Sequence, residues 1–368
     1  MTGIYIHIPF CESKCVYCAF SSFVNREKEN DYFSHLKKEI ENTSKSIKDN
    51  VKKVDSIYFG GGTPSVVSSN KIKDILDCIK KNFVINEDCE ITIEANPNSL
   101  DKQKLAEYKN MGINRLSIGI QSLYDEELNF LGRKHNRNMA IEAIKSGKNS
   151  GFENISVDLL IGIKGQTKNR FVCELNELIS LGIKHFSCYM LQVEEGTKLY
   201  NIVKENEKEI LDEDECVKIY EECVRTLEEN GFVRYEISNF ALKGYESRHN
   251  LKYWSGENYI GFGLSAHSYI DGTRFANSNN FEGYFAGEKS LCEKLSDSQR
   301  IEELIMLGLR CRLGVDNQKL KQLGYDLTQN EDFKNFVRDC VLIKEGEIIK
   351  LNPQYYGVSN FIITRLLP

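Results

Sequence analysis

The sequence predicts an α/β fold: an open, partial (β/α)6 barrel of the TIM type, followed by a small C-terminal α+β module of winged-helix character. Three observations carry this. Short β-rich runs alternate with amphipathic helical runs through most of the chain, the pattern of a parallel sheet with right-handed crossovers. A weak internal repeat recurs in MGINRLSIGIQ (111–121), SGFENISVDLLIG (150–162) and LGIKHFSCYMLQ (181–192), each with a helix-closing glycine, a short turn, a serine and a β-rich run. After about residue 285 the alternation gives way to helices around one hairpin.

IYIHI (4–8) reads as the first strand. A lysine-rich helix follows, with Phe33, Leu36, Ile40 and Ile47 on one face, the spacing of an amphipathic helix. VDSIYF (54–59) is the second strand and ends at GGGTP. A helix near 69–82 leads to EITIEA (90–95), and another near 101–111 closes at Gly112, a C-cap glycine. The repeats supply strands four to six. Six βα units are fewer than the eight of a closed TIM barrel, so an open one is expected. Near the end, SDSQRIEELIMLGLRCRL and NQKLKQLG read as helices. FKNFVRDCVLIKEGEIIKLNPQYYGVSNFIITRLL then reads as helix, short hairpin and helix. The expected division is 1–280 for the barrel and its extension and 281–368 for the C-terminal module.

Of 368 residues, 41% are hydrophobic, enough for a substantial core. The net charge of -6 argues against a globally basic nucleic-acid binder, leaving only a local basic patch as a route to nucleic acid. The N-terminus enters a strand with no signal-peptide pattern, and no apolar run approaches the roughly 18 residues of a membrane span. A soluble, cytoplasmic protein with no transmembrane segment is expected. Twelve cysteines in a long chain without an export signal do not read as a disulfide framework. Nine are scattered and read as small buried apolar residues. Cys216 and Cys223 fall in register with Ile219, Tyr220 and Leu227 on the inner face of a helix; a second metal cluster is the competing reading.

Only Cys11, Cys15 and Cys18 cluster, in HIPFCESKCVYCAF. Three thiolates so close together bind a soft metal. Structural zinc takes four ligands, commonly from two separated pairs; no second pair is present, and His7 would have to be the fourth ligand. The other reading is a [4Fe-4S] cluster on three thiolates, with one iron open to a small molecule. Polar groups gather at the C-terminal ends of the strands, where parallel barrels place their functional residues: GGGTP (60–64), Glu94 in IEANP, Gln121, Gln192, and Asp158 within SVDLLIG. Asp158 alone reads equally well as a capped core polar group. Glycines at 60–62 would let backbone approach a cluster-bound amino acid. Arg133, in FLGRKH, offers a fork suited to a carboxylate, or else an ordinary surface salt bridge.

C-x3-C-x2-C with Tyr17 before the last cysteine resembles the radical S-adenosylmethionine (SAM) superfamily. The resemblance implies a [4Fe-4S] cluster whose open iron takes the amino and carboxylate groups of SAM, followed by one-electron cleavage of the sulfonium. YIHIPFC, IYFGGGTPS, IEANP, SIGIQS, LGRKH and VDLLIGIKGQT stand in the order found in oxygen-independent coproporphyrinogen III oxidase and its relatives, and the likeness covers nearly the whole chain. It implies SAM contacts from Tyr5, Tyr17, Gly61, Gly62, Thr63, Glu94, Gln121, Arg133 and Asp158, with Gln192 less closely matched. Lys164 stands where the family usually has proline, which puts the shape of that turn in question.

Two branches of this family differ at the cysteine motif. The decarboxylating oxidases resemble C-x3-C-x2-C-x-C after a longer N-terminal segment; here Phe20 takes the place of the last cysteine, and ten residues precede Cys11. The heme-chaperone branch, the HemW type, resembles C-x3-C-x2-C-x-F with an HNxxYW motif. This chain has CESKCVYCAF and HNLKYW (His249, Asn250, Tyr253, Trp254), and YMLQVEEGT is also similar to that branch. The resemblance implies a chaperone that binds the cluster, SAM and heme and passes heme to an acceptor protein, in solution or at a membrane, rather than an active coproporphyrinogen dehydrogenase. The alternative is coproporphyrinogen III oxidation, converting propionates to vinyls. His249 is the expected heme ligand, since histidine is a common axial ligand and an aromatic pair suits a flat macrocycle. Its competing reading is a packing corner between barrel and module. No C-x-x-C-H is present to support covalent heme. DNA binding by the C-terminal module is a third class, disfavoured by the lack of a basic stripe.

Overall fold

In the computed structural model, which describes residues 1–368, six strands follow one another across a sheet in chain order, each parallel to the next. They are β1 (Thr2–Ile8), β2 (Lys53–Gly61), β3 (Val84–Ala95), β4 (Arg115–Gln121), β5 (Asn154–Ile161) and β6 (His185–Met190). The crossovers carry α1 (Glu29–Ser46), α2 (Ser69–Asn82), α3 (Lys102–Met111), α4 (Asp125–Phe130), α5 (Arg137–Asn149) and α6 (Lys168–Ser180). The expected (β/α)6 layout is present, and the sheet is open.

The strands are amphipathic with a period of two, even though the sheet is parallel. In β4, Leu116, Ile118 and Ile120 are fully buried in the main apolar core, while Arg115, Ser117, Gly119 and Gln121 alternate with them on the other face. In β5, Ile155, Val157, Leu159 and Ile161 join that core and alternate with Ser156, Asp158 and Leu160. Each buried isoleucine stabilises the layer by about 1.5–3 kcal/mol. The opposite face of the sheet is therefore free to carry polar side chains. Asp158 does not interrupt a core strand; it belongs to this polar face.

Beyond β6 lie α7 (Lys198–Glu205), α8 (Glu213–Glu229), β7 (Val233–Arg234), β8 (Asn239–Ala241), α9 (Arg248–Ser255), β9 (Tyr259–Phe262), β10 (His267–Ile270), β11 (Thr273–Asn277), α10 (Phe281–Ala286) and β12 (Lys289–Lys294). In α8, Ile219, Cys223 and Leu227 are buried and Cys216 half-buried, so these cysteines serve as apolar packing. The sequence did not reveal β9, which pairs parallel with β1 as a seventh parallel strand. Strands β10, β11 and β12 continue antiparallel from it, and β8 and β7 extend the far edge beyond β6. These strands are short and rich in tyrosine, glycine and arginine, so they show no clean alternation. Because β12 pairs with β11, the large sheet runs past the expected division at residue 280.

A separate apolar core includes Ile305, Leu309, Leu320, Ile349 and Leu366. It joins α11 (Asp297–Gly308), β13 (Val315–Asp316), α12 (Asn317–Gln322), α13 (Phe333–Arg338), β14 (Leu342–Glu345), β15 (Ile348–Leu351) and α14 (Ser359–Leu366). The strand order β13-β15-β14, with helices before and after the first strand and a β14–β15 hairpin ahead of α14, gives the expected winged-helix layout. No helix is long and apolar enough to cross a membrane.

One buried carboxyl makes the fold pH-sensitive. Glu174 on α6 accepts from the Leu123 N–H at 2.5 Å and the Ser122 hydroxyl at 3.2 Å. Burial, with Glu127 adding to it, pushes Glu174 up to about 8. The folded state thus holds its proton to higher pH than the unfolded chain does. Its contribution is full below the unfolded carboxylate range and is lost as pH rises towards about 8. Glu174→Gln should therefore melt above the parent at pH 8, by on the order of 1–2 kcal/mol, and match it near pH 5. Thermal unfolding at the two pH values measures this.

Candidate functional site

Cys11 is buried and Cys15 and Cys18 are half-buried, on the loop between β1 and α1. Backbone bonds hold that loop: Cys11 N–H to Phe23 carbonyl (3.0 Å), Phe23 N–H to Pro9 carbonyl (2.7 Å) and Val16 N–H to Leu131 carbonyl (3.1 Å). All three cysteines line a cavity of about 550 Å³ that also takes in the polar face of β2–β6. No group of three or more His, Cys, Asp or Glu side chains is gathered closely enough to hold a single metal ion. His7 is not a fourth ligand. One ring nitrogen is 2.9 Å from the Ser21 carbonyl and the other 3.1 Å from the Tyr5 hydroxyl. Three thiols lining one cavity, with no fourth protein ligand beside them in His7, suit the thiolate ligation of an iron–sulfur cluster.

A chain of side-chain hydrogen bonds ties two of the thiols together. Arg133 Nη1 donates to Cys15 Sγ at 3.5 Å, and its Nη2 donates to Asn96 Oδ1 at 2.6 Å and the Gly119 carbonyl at 2.5 Å. Asn96 Nδ2 donates to Thr63 Oγ1 at 3.1 Å, and that hydroxyl is 3.5 Å from Cys11 Sγ. Arg133 thus sits inside the cavity, with no carboxylate partner, and is not a surface salt bridge. Asn96 was the missed member, although it follows Glu94 in IEANP; nothing local marks an asparagine before proline as more than a turn residue.

The structure brings Tyr17, Gly61, Gly62, Thr63, Glu94, Gln121, Arg133, Asp158 and Gln192 to this one cavity. Tyr58 donates to Glu94 Oε1 at 2.8 Å and the Gly61 N–H to Oε2 at 3.2 Å. Burial, with Asp158 adding to it, pushes the Glu94 carboxyl up to about 7. Burial also raises Asp158, which accepts from the Ser117 hydroxyl at 3.3 Å. Two half-buried carboxyls and a guanidinium without a carboxylate partner around one space suit a zwitterionic, cationic ligand such as SAM: a bound sulfonium and ammonium would restore the carboxylates' charge, and Arg133 would meet a carboxylate. Gln121 holds a left-handed backbone (φ 68°) at the end of β4, a strained state for a non-glycine residue that often marks a functional site. Tyr58, Arg115, Ser117, Ser187, Tyr189 and Asn250 also line the cavity and were not expected. The serines were visible in the repeat, but only the strand register shows that they face inward.

Three expected contacts are placed differently by the structure. Tyr5 is not in the lining; its hydroxyl meets His7, and its ring stacks on Tyr58 at 6.2 Å. Gly61 and Gly62 line the cavity, but the direction a Cβ would take at each is filled by the protein, by the His7 ring and by the Ile8 and Phe10 backbone. His249 on α9 is 1% exposed, with ring nitrogens 3.0 Å from Ser56 Oγ and 2.9 Å from the Tyr253 hydroxyl. It presents no free nitrogen to a heme iron. The turn at Lys164 does not depend on proline: Gln166 accepts from the Gly162 N–H (2.8 Å) and donates to the Leu160 carbonyl (2.9 Å).

A partial parallel barrel with three cysteines beyond its first strand defines the radical SAM class. The model of the radical SAM superfamily matches residues 5–176, and that of the HemN C-terminal domain matches 295–354. The heme chaperone HemW of Bacillus subtilis is 37% identical over 331 residues, 88% of this chain and 86% of that protein; the one from Lactococcus lactis is 30% identical over 99% of this chain and 96% of its own. The fold is that of the coproporphyrinogen III oxidase structure from Escherichia coli, with a TM-score of 0.85 at 20% identity over 100% of this chain and 90% of that one. The chain belongs to the HemW heme-chaperone family.

Proposed function

We propose that this protein is a cytoplasmic heme chaperone that holds a [4Fe-4S] cluster, SAM and heme and passes heme to an acceptor protein, in solution or at a membrane. The observation that carries this is the chain-long similarity to relatives named heme chaperones. Phe20 agrees with it: 69% exposed, it lines the cysteine cavity where the oxidases have a further cysteine. When bound, the cluster supplies a single electron to SAM. The chain's part is to hold and tune. Cys11, Cys15 and Cys18 would ligate iron. Arg133 and Thr63 place hydrogen bonds on two of the sulfurs, which tunes the reduction potential. Glu94, Asp158 and Arg133 would orient SAM.

The test is anaerobic titration of the reconstituted protein with heme, with and without SAM, followed by incubation with an apo-hemoprotein. Near-stoichiometric binding and transfer are expected. Failure of the wild type to bind heme would overturn the reading.

A further inference from the structure

We propose that heme is carried in a second cavity, between the sheet β9–β11 and helix α11 of the C-terminal module, with His267 as its iron ligand. This rests on the heme-chaperone reading above and assigns its cargo a place. The cavity has a volume of about 490 Å³ and shares no lining residue with the cysteine cavity.

Elimination among the six histidines comes first. His7, His185 and His249 have both ring nitrogens hydrogen-bonded. His135 is buried against the Ile120 carbonyl at 3.0 Å. His35 packs edge-on to Tyr284 at 4.7 Å and lines neither cavity. His267 is exposed, makes no side-chain hydrogen bond, and lines the second cavity. Partial desolvation of the ring, with the Arg274 charge adding to it, holds it below the usual histidine range, so a neutral imidazole is available to iron at neutral pH.

The shape also suits a flat macrocycle. Residues two apart on a strand share a face, so His267 and Tyr269 stand side by side. Tyr269 pairs with Tyr259, and their rings lie 28° from parallel at 6.3 Å. The next strands bring Leu291 to the same face, beside Ala276, which pairs with His267. Leu304, Met306 and Leu307 of α11 supply the opposite, apolar wall. A porphyrin needs such a slot, together with a cation for its propionates. Arg274 is held by Glu303 at 2.6 and 2.7 Å, whereas Arg300 has a buried Nε without a partner and only a 3.3 Å contact to Asp297. Arg300 is therefore the propionate partner. The HNLKYW motif is split: His249 points inward to Ser56, and Tyr253 lines this slot. A single exposed ligand between two structural units suits a cargo that must be released.

The test is heme titration of the cluster-loaded protein and of His267→Ala, His249→Ala and Leu304→Trp, read by Soret absorption and heme electron paramagnetic resonance. Iron and sulfide content and circular dichroism report folding. His267→Ala should weaken binding roughly tenfold or more and lose the imidazole-ligated spectrum, with free imidazole restoring it. Leu304→Trp should block the slot, and His249→Ala should keep the parental spectrum. Heme bound with unchanged affinity and spectrum by His267→Ala would overturn the site and leave the chaperone reading standing; a wild type that binds no heme would overturn both.

Discussion

Cys15→Ala is expected to abolish the iron–sulfur cluster while leaving the fold nearly untouched. Cys15 lies half-buried on the β1–α1 loop, outside every apolar core cluster, and its one side-chain hydrogen bond is from Arg133. Its loss should change apo-protein stability by no more than about 0.5 kcal/mol. Two remaining thiolates cannot anchor four irons, so anaerobic reconstitution should yield little iron or sulfide and no charge-transfer absorption. Cys188→Ala is the matched control. Cys188 is buried in the main core on β6, so this variant should lose stability, by about 1 kcal/mol, and retain the cluster. A cluster retained by Cys15→Ala and lost by Cys188→Ala would reverse the assignment. Arg133, left without its sulfur partner, offers a second readout: SAM affinity should fall with the cluster.

Gly62→Ala should be strongly destabilising although it adds a single methyl. The added Cβ would stand 2.8 Å from the carbonyl oxygens of both Ile8 and Phe10 and 3.0 Å from the Phe10 nitrogen. These are backbone atoms, not movable side-chain ends. They also receive the bonds that seat the loop: Gly62 N–H to Ile8 carbonyl at 2.9 Å and Thr63 N–H to Phe10 carbonyl at 2.8 Å. Relief requires β2 to part from the segment leading into Cys11. The expected cost is on the order of 3 kcal/mol, with weakened cluster retention, because Thr63 would move away from Cys11. Thermal unfolding of the apo-protein measures the first effect and iron content the second. If the glycine served ligand approach alone, the apo-protein would melt unchanged and only SAM binding would suffer.

Much of the barrel was legible because its physics is local. The apolar face of α1, the glycine closing α3 at Gly112 (φ 100°) and the three repeats each follow from spacing that a helix or strand imposes. The cysteine motif is contiguous, so its loop was readable too. What escaped was non-local. Asn96 matters only because Arg133 and Thr63, brought in by other crossovers, meet it. Strand β9 is identifiable only by its pairing with β1. His249 looked like a ligand in HNLKYW, but helix α9 turns it towards Ser56, a contact across 193 residues that no window of sequence contains.

The distinction between carrier and enzyme rests on one assay. The cluster-loaded protein is incubated anaerobically with coproporphyrinogen III, SAM and a low-potential reductant, beside a parallel sample given heme and an apo-hemoprotein. Heme transferred in the second sample with no vinyl-bearing product in the first is the predicted result. Conversion of propionates to vinyls at enzymatic turnover would contradict it.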